Sequence, residues 1–348
     1  MIDLLQSALA SPLIHSVPTD PGTMWTKDVD IAIDTPPDEA LTDPPEALWP
    51  ANAVWTGKSG AVAPRVVVLP GGGYRMFYTQ ILPRPGYSDG ANDYNNATSR
   101  IQSAFSSDGR KWTREPGVRL SPLAGGAGEF RVVSGDIVPV TGAEGKLRMY
   151  YECCNGPQSS SNAIKTAVSD DEGLTWVVEP GDRLSRSNRN YVSPRIVFVD
   201  EMRCRLYCGE RGRGIISALS GDGGLTFNEE PGIRIRPDGP YDAMTAFAPE
   251  IMRADNGYIM YHAGYSAQNR ACILRATSDD GLVWRKHGDP IVAPGAAPWD
   301  AAKCSEMCLY RLPHQDGQVT RYRMVYEACD GTAPDERGVW RIAGASSE

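Results

Sequence analysis

Five charged residues stand at matching places in five short segments of the sequence, each at the start of a strand-like apolar run. They are Arg65, Asp136, Arg195, Glu250 and Glu306. Cations on either side keep a carboxyl ionised, whereas two neighbouring carboxyls in an apolar setting retain a proton. Such a set can therefore supply both a base and an acid to one reaction.

These positions assign a role to each carboxyl. Asp136 lies between Arg65 and Arg195 in the order of the repeats, so we expect it to be the base that activates water. We expect Glu250 to be the acid and Glu306 to be the neighbour that helps it hold a proton. One repeat separates Asp136 from either glutamate, which favours the carboxyl spacing of about 6.5–9.5 Å typical of inverting glycosidases.

A second set of residues is expected to bind the ligand. Arg65 and Arg195 form a guanidinium fork that suits a phosphate or a sugar carboxylate. Other candidates follow the tyrosines that end each second strand, or lie in loops before the first strands: Glu152, His262, Glu327, Tyr191, Tyr241, Asp242, Trp299 and Asp300. The four histidines form no ligand-spaced cluster, so no metal or other cofactor is predicted. A metal near His262 stays an open alternative.

The elements that position these residues repeat along the chain. A motif of the form Ser-x-Asp-x-Gly-x-Thr-Trp occurs four times, ending at Trp112, Trp176, Phe227 and Trp284. Its Asp accepts backbone N–H groups and its Gly adopts positive φ, which is typical of a turn between strands. Two further strand-like segments precede each copy. Four strands per repeat, at a period of about 40–50 residues or somewhat more, are typical of propeller blades.

The fifth repeat stops before its turn motif, and the missing part is present at the other end of the chain. The segment from Asp20 to Trp25 has the same Asp-x-Gly-x-x-Trp spacing and precedes an alternating strand at about 24–34. The sequence therefore predicts an all-β, five-bladed β-propeller of four-stranded antiparallel blades, whose last blade is closed by the N-terminal strand. We expect one domain, 1–348, with blades starting near 62, 132, 192, 247 and 303.

The turn motif resembles the Asp-box of sialidases, and the whole arrangement is similar to the five-bladed glycosidase superfamily, which includes glycoside hydrolase families 43, 32 and 130. That resemblance implies cleavage of a glycosidic bond. Family 43 carries two aspartates and a glutamate on its first three blades. This chain instead has Arg65, Asp136 and Arg195 there.

Composition narrows the partners. A formal net charge of -8 and a pI near 5.2, without a Lys/Arg cluster, argue against nucleic acid. No apolar run of 18 residues argues for a membrane span. Residues 1–16 lack a signal-peptide pattern, and the eight cysteines show no CxxC pair, so we expect a cytoplasmic protein with reduced thiols.

The predicted partner is a small molecule or an oligosaccharide, and the predicted activity is that of a glycoside hydrolase. Three alternatives stay open. A phosphorylase, or a lyase or isomerase, would use Arg65 and Arg195 to hold an anionic sugar or metabolite. A non-catalytic propeller would only bind sugar.

Overall fold

In this computed structural model of the protein, the described residues are 20–34, 60–82, 98–122, 131–154, 162–254, 256–312, 322–331 and 338–347. The predicted domain, 1–348, also includes segments that lie outside the described residues. Every regular element in the described segments is a β-strand. A helix long and apolar enough to cross a membrane is not found among them.

The strands, in chain order, are β1 (Trp25–Ile33), β2 (Gly60–Val68), β3 (Tyr74–Leu82), β4 (Thr98–Ser106), β5 (Thr113–Arg114), β6 (Arg131–Pro139), β7 (Leu147–Cys154), β8 (Ala163–Ser169), β9 (Val177–Val178), β10 (Tyr191–Phe198), β11 (Cys204–Glu210), β12 (Gly214–Ser220), β13 (Asn228–Glu229), β14 (Thr245–Ala254), β15 (Gly257–Ala267), β16 (Arg270–Ser278), β17 (Arg285–Lys286), β18 (Lys303–Arg311), β19 (Tyr322–Cys329) and β20 (Trp340–Ser347).

These strands pair antiparallel in five four-stranded groups. Groups 1, 2 and 3 are separate sheets made of β2–β5, β6–β9 and β10–β13. Group 4 is β14–β17, and group 5 is β18–β20 with β1 at its outer edge. Groups 4 and 5 share one parallel residue pair, Ala271 with Lys303, which joins them into an eight-stranded sheet. The predicted all-β fold of four-stranded antiparallel sheets is confirmed.

The outer strand of group 5 comes from the other end of the chain. Strand β1 pairs antiparallel with β20. Lys27 Nζ donates to the buried carboxylate of Asp300 at 2.5 Å, and Arg323 donates to Asp28. These contacts cover the edge that β20 would otherwise expose, and they hold the first and last strands together.

Apolar side chains fill five interfaces, each between two groups. Buried pairs that share a cluster represent them: Phe77 with Met149, Val138 with Leu206, Val197 with Met260, Ile259 with Met324, and Met76 with Val325. The first strand of each group also contacts the first strands of two other groups. Each group therefore packs against two others, in an order that returns from group 5 to group 1.

Four loops between third and fourth strands share one hydrogen-bond pattern. After β8, Ser169 Oγ donates to Asp171 at 2.8 Å and accepts from the Gly173 N–H at 2.8 Å, while Asp171 accepts from the Thr175 N–H at 2.9 Å. A Cβ on Gly173 would lie 2.4 Å from the ring of Phe77, so only glycine fits. The equivalent pairs are Ser106 with Asp108, Ser220 with Asp222, and Ser278 with Asp280.

The same loops fasten neighbouring groups to each other. The Trp176 ring meets Phe77 of group 1 edge to face at 5.8 Å, a geometry that contributes about 0.5–1.5 kcal/mol beyond burial. Tyr207 of group 3 donates its hydroxyl to the Gly281 carbonyl at 2.8 Å, and Tyr261 donates to the Gly22 carbonyl at 2.7 Å. These loops thus perform the structural role that their sequence indicates.

Candidate functional site

Each of the five first strands contains a β-bulge at the same place. In β2, for example, Ala63 and Pro64 together face one residue of β3, between the pairs Val62 with Thr79 and Arg65 with Phe77. The same shift recurs in β6, β10, β14 and β18. A bulge re-aims the side chains on either side of it. Residues just before and just after the bulge therefore serve different parts of the site.

The bulge register corrects the sequence alignment of the fifth repeat. The residue that follows the bulge is Arg65, Asp136, Arg195 and Glu250 in groups 1 to 4, but it is Met307 in group 5. Glu306 lies one residue earlier, inside the bulge, where the other groups have proline or glycine. The predicted equivalence of Glu306 with Arg65 is wrong, because the extra residue of the bulge falls one position further along than the sequence alignment assumes.

The second strands need a similar correction. Cys208, His262 and Glu327 lie opposite the bulges of their groups, as their common alignment implied. In groups 1 and 2 that place belongs to Tyr78 and Tyr151, while Thr79 pairs with Val62 and Glu152 pairs with Val133. The alignment on the last tyrosine was wrong there, because these strands carry an extra aromatic residue before the matching position.

Residues after the bulge form a chain of alternating charges where the first strands meet. Arg65 contacts Asp136 at 2.7 Å and Glu250 at 2.9 Å. Arg195 contacts the same Glu250 at 3.0 Å and Glu306 at 3.2 Å. The five members come from all five groups, and four of them are almost fully buried. We call this set the ion network (Asp136, Arg65, Glu250, Arg195 and Glu306).

Backbone donors complete the coordination of the two central carboxylates. Asp136 accepts from the N–H groups of Ile137 at 2.8 Å and Ile196 at 2.7 Å. Glu250 accepts from the Leu309 N–H at 3.1 Å, in addition to both guanidinium groups. Arg195 separates Glu250 from Glu306, so the two glutamates do not form the simple adjacent pair that their repeat order predicted.

A cavity of about 370 Å³ opens beside this network. Its described lining residues are Val62, Ile81, Val133, Glu152, Val192, Ser193, Glu210, Arg211, Gly212, Met244, Thr245, Phe247, Tyr265, Glu306, Glu327 and Trp340. Val62, Val133, Val192 and Phe247 all stand just before a bulge. Asp136, Glu250, Arg65 and Arg195 are not among the described lining residues.

Two predicted site residues, Glu306 and Glu327, lie together in the cavity wall. Glu306 accepts from Ser193 Oγ at 2.9 Å as well as from Arg195. Glu327 accepts from the Ala63 N–H at 2.9 Å and from Ser305 Oγ at 2.6 Å. The residues at the bulges, among them Ala63 and Ser193 with φ of 51°, thus bring donors to both carboxyls.

Burial changes the proton affinity of both groups. It raises the pKa of Glu306, although Arg195 and Ser193 oppose the change. Burial, followed by repulsion from Glu306, raises the pKa of Glu327 to about 8. Since Glu306 has a guanidinium partner and Glu327 has only neutral donors, Glu327 is the carboxyl of this pair that holds a proton at neutral pH.

His262 and Asp242 belong to a buried cluster outside the described cavity wall. His262 Nε2 lies 3.8 Å from Asp242, and Lys286 Nζ donates to Asp242 at 2.8 Å. Burial lowers the pKa of His262. Although burial alone would raise it, hydrogen bonds from His262 and Lys286 hold the pKa of Asp242 at about 2. Asp300 pairs with Lys27 in the same way in group 5, and Tyr326 also donates to it at 3.0 Å.

The predicted aromatic candidates also stand apart from the described wall. Tyr191 is buried, and its hydroxyl lies 3.4 Å from Glu229. Trp299 packs against the core between groups 4 and 5, and Tyr241 is 38% exposed. Glu152, in contrast, lines the cavity and accepts from Asn162 at 2.5 Å. The binding roles predicted for all these residues stay predictions.

The sequence analysis missed the aromatic and apolar part of the wall. Phe247, Tyr265 and Trp340 line the cavity, as do Met244 and Ile81. The signal for Phe247 was its place two residues before a bulge-forming Pro, which it shares with Val62 and Val192. Among the described residues, no group of three or more His, Cys, Asp and Glu side chains has an arrangement suited to a metal ion.

No protein-family model and no curated protein matches this sequence. Solved structures do match its fold. A thermostable family-43 glycoside hydrolase shares 15% identity, with a TM-score of 0.59 over 82% of this chain and 88% of the other. A family 117 glycoside hydrolase from the marine bacterium Zobellia galactanivorans shares 17% identity, with a TM-score of 0.57 over 83% and 85%.

A third match is a phosphorylase. The β-1,2-mannobiose phosphorylase of Listeria innocua, in complex with β-1,2-mannobiose, shares 15% identity, with a TM-score of 0.57 over 82% of this chain and 89% of the other. At these identities the likeness establishes a common fold.

Proposed function

We propose that the five groups are the blades of a single five-bladed β-propeller, 1–348, closed by β1 in its last blade. The cyclic order of the five apolar interfaces supports this arrangement. So does the common fold with the glycoside hydrolases. In this proposal the four Ser-Asp loops are Asp-boxes, whose role is to fasten one blade to the next.

We propose that the chain is a glycoside hydrolase that cleaves a glycosidic bond in an oligosaccharide bound in the cavity. One observation carries the proposal: Glu306 and Glu327 line the same cavity but have different partners. Glu306 contacts a guanidinium group, whereas Glu327 has neutral donors and a pKa of about 8. Glycosidic cleavage needs one ionised and one protonated carboxyl in this way.

Each carboxyl then has a defined part in the reaction. Glu327 gives its proton to the glycosidic oxygen as the bond from that oxygen to the anomeric carbon breaks. Glu306 accepts a proton from the water molecule whose oxygen bonds to the anomeric carbon. The sugar is released with inverted configuration. Trp340 and Phe247 provide apolar surface for the faces of sugar rings.

The proposal transfers the acid and base roles from Glu250 and Asp136, which the sequence analysis favoured. Those two carboxylates are already coordinated by guanidinium and backbone N–H groups, so they support the shape of the site. Their predicted roles stay open to the same experiment. Arg65 and Arg195, the expected phosphate or carboxylate fork, bind carboxylates of this chain instead.

The test is a screen of oligosaccharides with and without inorganic phosphate, followed by assays of variants on the best substrate. We expect hydrolysis, with a loss of about 10²–10⁴-fold for Glu327→Gln and for Glu306→Gln. The Glu210→Gln variant is a matched control, since Glu210 also lines the cavity but pairs with Arg189 at 2.9 Å.

Three results would contradict the proposal. Binding without turnover would indicate a non-catalytic sugar-binding protein. Release of a sugar phosphate would indicate a phosphorylase. Full activity in Glu327→Gln, with loss confined to Glu250→Gln and Asp136→Asn, would return the roles to the residues that the sequence favoured.

A further inference from the structure

The described wall of the cavity is acidic. It contains four glutamates, Glu152, Glu210, Glu306 and Glu327. The single cationic side chain in the described wall is Arg211, which is exposed on the turn between β11 and β12. A cavity with this charge favours a cationic ligand over an anionic one, because carboxylates repel like charge most strongly where water is excluded.

The guanidinium groups nearest the glutamate pair do not offset this charge. Arg65 and Arg195 each bridge two carboxylates, so the ion network contains three carboxylates and two guanidinium groups. Glu327 adds a fourth carboxyl beside it. Glu210 is a separate case, since it is neutralised locally by Arg189 and Arg213.

Glu327 is where this imbalance reaches the cavity. Its oxygens accept from the Ala63 N–H and Ser305 Oγ, which carry no charge. The charged and titratable groups that act on it are Glu306, Arg195 and Tyr265. With the nearest carboxylate repelling it, Glu327 stays uncharged by holding a proton, and an ammonium group could neutralise it equally well.

We propose that the sugar unit bound beside Glu306 and Glu327 carries a protonated amine, which replaces the proton of Glu327. This inference rests on the proposed function and names its substrate class: an amino sugar rather than a uronic or phosphorylated sugar. The balance is simple. The ligand keeps its ammonium proton, Glu327 releases its proton to solvent, and the buried charge of the site is unchanged.

The experiment measures binding rather than turnover, so that it can fail independently of the hydrolase proposal. Isothermal titration calorimetry at pH 7 compares hexoses of the gluco, galacto and manno series with their C2 and C6 amines and their uronic acids. In the series that binds, we expect the amine to bind at least tenfold more tightly than the parent hexose. The uronic acid should bind more weakly than either.

A second readout identifies Glu327. Repeating the titration of the C6 amine in two buffers with different ionisation enthalpies gives the number of protons released, which we expect to be roughly one per ligand, since Glu327 is mostly protonated at this pH. In Glu327→Gln the release should vanish and the preference for the amine should fall. Glu210→Gln, the matched control, should retain both.

Two outcomes would overturn the inference: tighter binding of the uronic acid or parent hexose, and amine binding by the wild type without proton release. The wild-type result decides the matter even if the Glu327 variant does not fold. Amine preference without hydrolysis of any amino-sugar oligosaccharide would retain the inference on the ligand and reject the hydrolase. Hydrolysis of neutral substrates without amine preference would do the reverse.

Discussion

The ion network and the Glu306–Glu327 pair are neighbouring sets of buried carboxyls with different chemistry. Asp136 and Glu250 are surrounded by guanidinium and backbone N–H groups, and they hold first strands from different groups together. Glu327 has about the same burial but only neutral donors, and the pKa of its carboxyl rises to about 8. Burial alone thus does not make a carboxyl an acid catalyst. Its partners decide whether it is a structural anion or a proton donor.

The largest expected effect is in the network. Arg195→Met removes the guanidinium that separates Glu250 from Glu306 and leaves both carboxylates buried without it. We expect the free energy of unfolding to fall by about 3–5 kcal/mol in urea denaturation. The double variant Arg195→Met/Glu250→Gln should recover part of that loss. No recovery would mean that Arg195 stabilises the protein through packing rather than through charge.

The pair should reveal itself through pH. A folded-state pKa of about 8 lies above the ordinary 4.5, so the native state holds a proton that the unfolded state releases. This contribution to stability is fully present below pH 4.5 and is lost as the pH rises to about 8, by at most about 1.4 kcal/mol per pH unit. Comparing wild type with Glu327→Gln isolates it, because the variant lacks that slope. Parallel stability curves would remove the basis for Glu327 as the proton donor.

A smaller change tests the neutral donors. Ser305 Oγ donates to Glu327 at 2.6 Å and favours its charged form. In Ser305→Ala we therefore expect the pKa of Glu327 to rise further. The alkaline limb of the pH–rate profile, or the infrared band of the protonated carboxyl, should move to higher pH. A downward movement would show that the hydroxyl does not act as a donor to Glu327.

The smallest effect should come from an ion pair that is far more exposed than either set. Arg203 contacts Asp200 at 2.6 Å, with both side chains roughly half exposed. We expect Arg203→Ala to leave the melting temperature unchanged, since solvent and salt screen such pairs. A loss as large as that of Arg195→Met would contradict the idea that burial gives the network its energy.

The sequence by itself determined the repeated elements. The Ser-Asp-Gly loops, the alternating strands and the partner strand near Trp25 are local patterns, so they could be recognised without knowing which strands pair. The placement of charged residues close to the first-strand bulges of groups 1 to 4 followed from the same alignment. Of the proposed catalytic pair, both Glu306 and Glu327 were among the predicted site residues, although with other roles.

Only the tertiary structure decided which carboxyl faces which partner. The bulge of β18 has no proline or glycine to mark it, so its register depends on pairing with β19, and this moved Glu306 by one position. Arg65 and Glu250 are far apart in sequence, and only the meeting of the first strands brings them together. Charge and burial act through space, so proton affinity at this site follows from folded geometry and not from the order of residues along the chain.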